Sequence, residues 1–347
     1  MSFRLFMIVY LKVINCLKAR FVSIRRMSGS IPKQINNVVE KDLIKTAKCL
    51  LPELEFKNHK GSCGRIGVFG GSIEFTGAPY YAGYSALRTG VDLVYIFCAS
   101  AAAQAIKTYS PELMVLPYLD DQDAINKIAP WLSRLHAILI GPGLGRHQYV
   151  SKTLTQVLDY LESNNLATPL IFDADGLFFL SQHPSLLRNY RGNVYITPNI
   201  VEFKFLTKSV LNVSVENIDE NVITALPKSL GNNVTINLKG FNDIMSFNGQ
   251  IIRCDVEGSP RRCGGQGDML SGILSAFAAW VKIKGNSILP STSIPAELIA
   301  SYTASYIVRS CNKLAFIDNG RGMIVTDMLE KIIPVTKALF VENKTKS

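Results

Sequence analysis

From residue 65 onward, short and nearly continuous apolar runs alternate with longer stretches in which apolar residues recur at helical spacing. Arg65 to Phe69, Leu93 to Cys98, Ala137 to Ile140, Leu170 to Phe172, Val194 to Ile196 and Val234 to Leu238 are runs of the first kind. Such runs read as strands buried on both faces. Between them Thr76 to Leu87, Ala101 to Thr108 and Gln148 to Leu161 predict helices. Pro79 falls near the first turn of its helix, where a missing N–H costs no hydrogen bond. Shorter helices are predicted from Asp42 to Leu54 and after Thr197-Pro198-Asn199. Ile244 to Phe247 and Gln250 to Arg253, separated by Asn248-Gly249, predict a hairpin. Two long helices, Met269 to Trp280 and Ala296 to Val308, and a closing segment from Thr326 to Ile332 complete the pattern.

Strands that alternate with helices predict an α/β fold, with a mostly parallel central sheet covered by helices on both faces. No linker or low-complexity run interrupts the chain after the first 39 residues, so residues 40–347 are expected to form one domain. In sheets of this kind ligands sit outside the carboxyl ends of the strands. Gly71, Gly143, Asp173, Asn199, Lys239 and Asp268 each follow a predicted strand or strand-turn, which places them in one candidate site.

The sharpest chemistry lies in Arg261-Arg262-Cys263-Gly264-Gly265-Gln266-Gly267-Asp268, directly before a small-residue apolar helix. Glycines allow close backbone approach to a ligand, and a helix N-terminus offers unpaired N–H groups to an anion. Asp268 cannot hold a phosphate, being itself negative, so its sensible task is to take a proton from a hydroxyl that meets a phosphoryl group. A GxxxxGK pattern followed by Ser or Thr is absent, so this is not a P-loop. Gly141-Pro142-Gly143-Leu144-Gly145 can be a bare turn or a ligand loop, and Lys239-Gly240 with Asp243 can be surface or a nucleotide contact. Asp175 and Asn199 are expected to cap helices. Asp173 and Glu202 are candidates to meet magnesium through water, since Mg²⁺ keeps most of its hydration shell; direct metal ligands stay unassigned.

The net charge of +10 looks at first like a nucleic-acid signal, but Arg4, Lys12, Lys18, Arg20, Arg25, Arg26 and Lys33 precede the first acid, Glu40. The rest of the chain carries no basic patch interleaved with aromatics, which argues against nucleic acid. The basic, acid-free segment 1–39 is expected to be a mitochondrial leader, with a secretory signal as the rival and a cytoplasmic form starting at Met27 as an alternative. Its apolar run, Leu5 to Leu11, is too short to span a membrane, which takes about 20 residues. The cysteines are scattered without CxxC spacing, which suggests reduced thiols; Cys263 is expected to be a small packing residue.

Taken in order, the stretches HKGSCGRIGVFGGS, TGAPY, IGPGLGR, IFDADGL, TPNIVEF, LKGFND, SPRRCGGQGDMLSG and GRGMIVTDM resemble the ATP-dependent NAD(P)H-hydrate dehydratases of the ribokinase-like superfamily. The resemblance runs from about residue 40 to the end. It implies phosphorylation by ATP of the hydroxyl on the hydrated ring of NADH or NADPH, with Mg²⁺, followed by loss of phosphate. It further implies Asp268 as catalytic base in contact with the hydrate. The hydrate would also be held by Gly143, Gly145, Asn199, Ile200, Val201, Glu202, Phe203, Lys204 and Phe205. ATP would be held by Lys239, Gly240, Phe241, Asn242 and Asp243, and by Gly258, Ser259, Pro260, Arg261, Arg262, Cys263, Gly264, Gly265, Gln266 and Gly267. Ile200 stands where such sequences commonly carry His. The epimerase domain fused in some bacterial relatives is missing, so a separate epimerase is the expected partner, and a homo-oligomer is left open. A small-molecule kinase of the same superfamily is the competing enzyme reading, and a nucleotide-binding protein without catalysis is the reading from another class.

Overall fold

Nine strands make a single sheet in the order β3-β2-β1-β4-β5-β6-β7-β8-β9 in the computed structural model, which describes residues 42–285 and 293–340. The leader expected over residues 1–39 lies outside the described residues. The strands are β1 (Arg65–Phe69), β2 (Leu93–Phe97), β3 (Leu113–Leu116), β4 (Ala137–Ile140), β5 (Leu170–Phe172), β6 (Val194–Ile196), β7 (Val234–Leu238), β8 (Asp243–Phe247) and β9 (Gln250–Cys254). All pairings from β3 across to β7 are parallel, and β7–β8 and β8–β9 are antiparallel. The central strands are buried throughout, which is why they read as unbroken apolar runs rather than alternating ones. The expected hairpin is present, with Asn248 and Gly249 both at positive φ, 49° and 82°, as a tight turn between right-twisted strands requires.

The helices are α1 (42–48), α2 (Gly77–Thr89), α3 (Ser100–Tyr109), α4 (Ala124–Leu132), α5 (Gln148–Ser163), α6 (Asp175–Gln182), α7 (Ile200–Leu211), α8 (Glu220–Leu230), α9 (Gln266–Lys284), α10 (Ala296–Asn319), α11 (Val325–Leu329) and α12 (Ile332–Phe340). One sheet face is covered by α2, α9 and α10, whose side chains share a core with Val68, Leu139 and Tyr195. The other is covered by α4 to α8, around Phe69, Ile140, Phe172 and Ile196. Three elements go beyond the sequence pattern: β3, α4 and α8. β3 is only four residues long, and α4 and α8 carry Pro130 and Pro227 inside the helix. An internal proline ordinarily argues against a helix. The last segment is likewise two helices rather than one.

Helix α9 is apolar all round and buried from Met269 to Val281, as expected of a helix sandwiched between the sheet and its neighbours. Its contact with α2 is a close backbone approach. A Cβ built on Gly272 would lie 2.1 Å from the Ala82 carbonyl oxygen. Gly272→Ala is therefore expected to lower stability by about 3 kcal/mol, the upper range for overpacking, when read by urea denaturation. A loss under about 0.5 kcal/mol would show that α2 and α9 can separate freely.

The chain order reverses between β1 and β4, so a crevice opens at their carboxyl ends. Two glycine turns meet there. The Gly71 N–H donates to the carbonyls of Pro142 and Gly143, at 3.1 Å each, tying the loop after β1 to the loop after β4.

Candidate active site

The glycine turn delivers the first turn of α9 to the ends of β5 and β7. Gly265 takes φ +88° as the residue before the helix, and a Cβ there would sit 2.8 Å from Val325 Cγ1 and 2.9 Å from Tyr81 Cδ2. Only glycine satisfies both the backbone and the space. At Gly267 a Cβ would lie 3.4 Å from Lys239 Nζ and 3.8 Å from Asp173 Oδ2, so the helix start is in van der Waals reach of that pair.

Lys239 Nζ donates to Asp173 Oδ1 at 2.8 Å and stands 3.8 Å from Glu202 Oε2. Asp173 is 1% exposed. Burial works against the charge of Lys239, but the carboxylates of Asp173 and Glu202 outweigh it and hold the ammonium above its ordinary value. Asp268 completes the group. Burial first, and then the negative charge of Asp173, raise its carboxyl from 3.8 to about 7, against the downward pull of Lys239. Glu202 is also raised, by burial ahead of the opposing effect of Lys239.

The backbone around this cluster is tied down. The Asn199 side chain accepts from the N–H groups of Val201 and Glu202 at 2.9 Å, and Glu202 accepts from the Asn199 N–H at 2.8 Å, a complete capping box. Asn199 thus caps α7 as expected. An isolated parallel bridge from Asn199 to Lys239, with the Lys239 N–H on the Pro198 carbonyl at 2.8 Å, carries the sheet pairing past the ends of β6 and β7.

Asp175 departs from its expected role. It is the first residue of α6 rather than its cap, and it accepts from the Gly145 N–H at 3.1 Å and from Arg146 Nε at 3.0 Å. Between the two acids Ala174 adopts φ 47°, ψ −121°, a region that costs a non-glycine residue of order 1–3 kcal/mol. That twist sends Asp173 toward Lys239 and Asp175 toward the loop after β4.

A cavity of about 510 Å³ opens beside Asp268, lined by Gly143, Ala174, Phe178, Val201, Glu202 and Phe205 among others. The rings of Phe178 and Phe205 are stacked 5.8 Å apart at 15°, and the Arg146 guanidinium lies 4.1 Å from the centre of the Phe178 ring. Of the segment assigned to the hydrate, Val201, Glu202 and Phe205 face this cavity. Phe203 is fully buried in the core, and Lys204 turns away to the Glu216 carbonyl at 2.9 Å. Neither side chain reaches the cavity, because helical spacing sends them to other faces of α7.

The segments assigned to ATP are braced by α10. Arg309 donates to both oxygens of Asp243, at 2.6 and 2.9 Å, and to the carbonyls of Gly240, Phe241 and Val256. Asp243 also accepts from the Gly240 N–H at 3.1 Å. Its carboxylate therefore shapes the loop, while Phe241 stands 89% exposed. Asn312 accepts from the Ser259 N–H at 2.5 Å and donates to the Arg261 carbonyl at 3.3 Å. Gln266 Nε2 donates to the Arg261 carbonyl and to Cys263 Sγ, which holds the half-buried Cys263 inside the turn. Pro260, Arg262 and Gly264 are exposed. Arg309 and Asn312, both outside the sequence-based set, are the residues on which these loops rest.

The arrangement can accept a proton at a carboxyl poised near neutrality, beside a helix N-terminus and a cavity large enough for an organic ring. Residues 66–334 match the family described as NAD(P)H-hydrate dehydratase. A protein of Aedes aegypti named ATP-dependent (S)-NAD(P)H-hydrate dehydratase is 42% identical over 321 residues, covering 92% of this chain and 91% of its own. A ribokinase-like superfamily protein of Enterococcus faecalis superposes with a TM-score of 0.66 at 21% identity, covering 86% of this chain and 94% of its own. The ADP/ATP-dependent NAD(P)H-hydrate dehydratase of Bacillus subtilis, co-crystallised with ATP and Mg²⁺, gives a TM-score of 0.63 at 22% identity, covering 86% of this chain and 97% of its own. The fold is ribokinase-like.

Proposed function

The chain belongs to the NAD(P)H-hydrate dehydratase family, whose members repair the (S)-hydrates of NADH and NADPH at the expense of ATP, and we propose that Asp268 begins that reaction here. The hydroxyl on the hydrated ring attacks the terminal phosphoryl group of ATP, its proton passes to Asp268, and ADP leaves. The ring nitrogen then donates its electron pair, the carbon–oxygen bond breaks and phosphate departs. The iminium ion so formed gives up a proton from the neighbouring ring carbon to the departing phosphate or to water, which restores the double bond. The elimination asks little of the protein. Phosphoryl transfer asks mainly for position and charge, and the N–H groups of Gly264, Gly265 and Gly267, at the start of α9, would receive the moving phosphoryl group.

The observation that carries this reading is the carboxyl of Asp268, raised to about 7 at the wall of the cavity. A general base is most effective when its pKa lies near the working pH. Gly143, Val201, Glu202 and Phe205 would then hold the hydrate, and residues 239–243 and 258–267 would hold the nucleotide.

Among the described residues no group of three or more His, Cys, Asp or Glu side chains could hold a metal ion. Asp173 already receives Lys239, and the Glu202 contacts of the capping box and of Lys239 fall on Oε2, so among the described residues no donor engages Oε1. This donor set fits a hydrated magnesium ion that arrives on the nucleotide and meets Asp173 and Glu202 through water, rather than a resident metal. Bound in that way, magnesium would neutralise the charge of the phosphates. Because the reaction takes the (S)-hydrate, a separate epimerase is the partner that would supply it from the other epimer.

Incubation with ATP, Mg²⁺ and hydrated NADH tests the reading: the near-ultraviolet absorbance of the reduced ring is expected to return, with one free phosphate per ring restored. A stable phosphate ester with no absorbance gain would make the chain a kinase instead. The pH dependence is a second test. Asp268 must be ionised to accept a proton, so kcat/KM is expected to fall about tenfold per pH unit below about 7 and to level off above it. A flat profile down to about pH 5 would remove Asp268 from the role.

A further inference from the structure

The geometry points to Arg146 as the residue that binds a phosphate of the dinucleotide tail and thereby determines affinity for the hydrate; this rests on the function proposed above. Asp175, Glu202 and Asp268 line the cavity, and Arg146 is the one cationic side chain among its lining residues. A dinucleotide brings at least two further negative charges to these three carboxylates. Lys239 offsets part of that charge but is already engaged by the buried Asp173, so Arg146 is the cation left at the wall to meet the tail.

Arg146 is built for that task. Its Nε donates to Asp175 at 3.0 Å and its guanidinium carbon lies over the Phe178 ring, 4.1 Å from the ring centre. The group is thus held by two partners, and no described residue engages the Nη pair. The side chain is 63% exposed, so the pair is accessible to a ligand. A planar fork with two parallel donors matches the geometry of a phosphate better than an ammonium does. Its place in the fold agrees. Arg146, Asp175 and Phe178 line both the large cavity and a neighbouring one of about 130 Å³. The guanidinium therefore borders both the space next to Asp268 and the adjoining space, within which a tail leaving the reacting ring could extend.

Two phosphates share this chemistry, the pyrophosphate common to both hydrates and the 2′-phosphate found only in hydrated NADPH. Steady-state kinetics of Arg146→Gln separate them. If the pyrophosphate is held, KM rises about tenfold or more for both hydrates, the scale of a lost charged hydrogen bond. If the 2′-phosphate is held, the rise is confined to hydrated NADPH. In either case KM rises by more than kcat falls, and KM for ATP stays within about twofold. KM of the wild type should also rise with ionic strength, and that dependence should flatten in the variant, which a merely structural role would not produce. A KM within about twofold of wild type for both hydrates, with wild type active, overturns the assignment of Arg146 alone. A wild type that leaves hydrated NADH unchanged overturns the proposed function itself.

Discussion

Asp268→Asn is expected to lower turnover of hydrated NADH by about a hundredfold or more, the scale of a lost general base, while ATP affinity stays within a few-fold. The substitution keeps the shape of the side chain and the helix start, and removes the capacity to accept a proton. The same change is expected to stabilise the protein at alkaline pH. The carboxyl is raised in the folded state, from 3.8 to about 7. The stability it contributes is therefore full below about pH 4 and is lost as pH rises through about 7. Asparagine does not titrate, so the variant should gain about 2 kcal/mol over wild type at about pH 8, after allowance for partial exposure to solvent, and nothing at about pH 4. Isothermal titration with ATP, turnover assays and urea denaturation at the two pH values check the three parts. Wild-type turnover in the variant would dismiss the base; equal stability at both pH values would dismiss the burial that tunes it.

The second large effect is expected at Lys239. Asp173 is 1% exposed and Lys239 is its ion-pair partner at 2.8 Å. Lys239→Met would leave that carboxylate buried without its counter-charge, a change that typically costs about 3–5 kcal/mol. Activity would respond as well. Lys239 pulls the Asp268 carboxyl down against burial and two neighbouring acids, so in the variant the alkaline plateau of kcat/KM should begin at higher pH. A variant that unfolds at the wild-type urea midpoint would show that Asp173 finds another partner or that water reaches it.

Most of the central layer was legible because β1, β4, β5, β6 and β7 are buried on both sides and stand in the sequence as plain apolar blocks. The elements that escaped were those whose local signals contradict their state. β3 is a four-residue edge strand, and α4 and α8 keep a proline within the helix because tertiary packing holds Ile128 and Leu226 in the core. At the site, Asp268, Asn199 and Lys239 could be placed from their positions after strands. Phe203 could not be told from Phe205, two aromatics interleaved with the charged Glu202 and Lys204, and only the helix phase separates the core residue from the cavity residue. Arg309 and Asn312 carried no local mark either. They act on loops 50 or more residues earlier in the chain, from one side of a long helix, and nothing in their neighbourhood announces such a distant partner.

The alanine between the two acids after β5 has one more implication. Its backbone is wound in a sense that a glycine would adopt without resistance, and the winding parts two neighbouring carboxylates like the blades of open scissors. One blade is locked onto the lysine that stands beside Asp268, the other onto the guanidinium that would greet the incoming tail. A chain relaxed at this pivot would be easier to fold, yet its two grips would no longer be set at a fixed spread, and recognition at one end would cease to register with chemistry at the other.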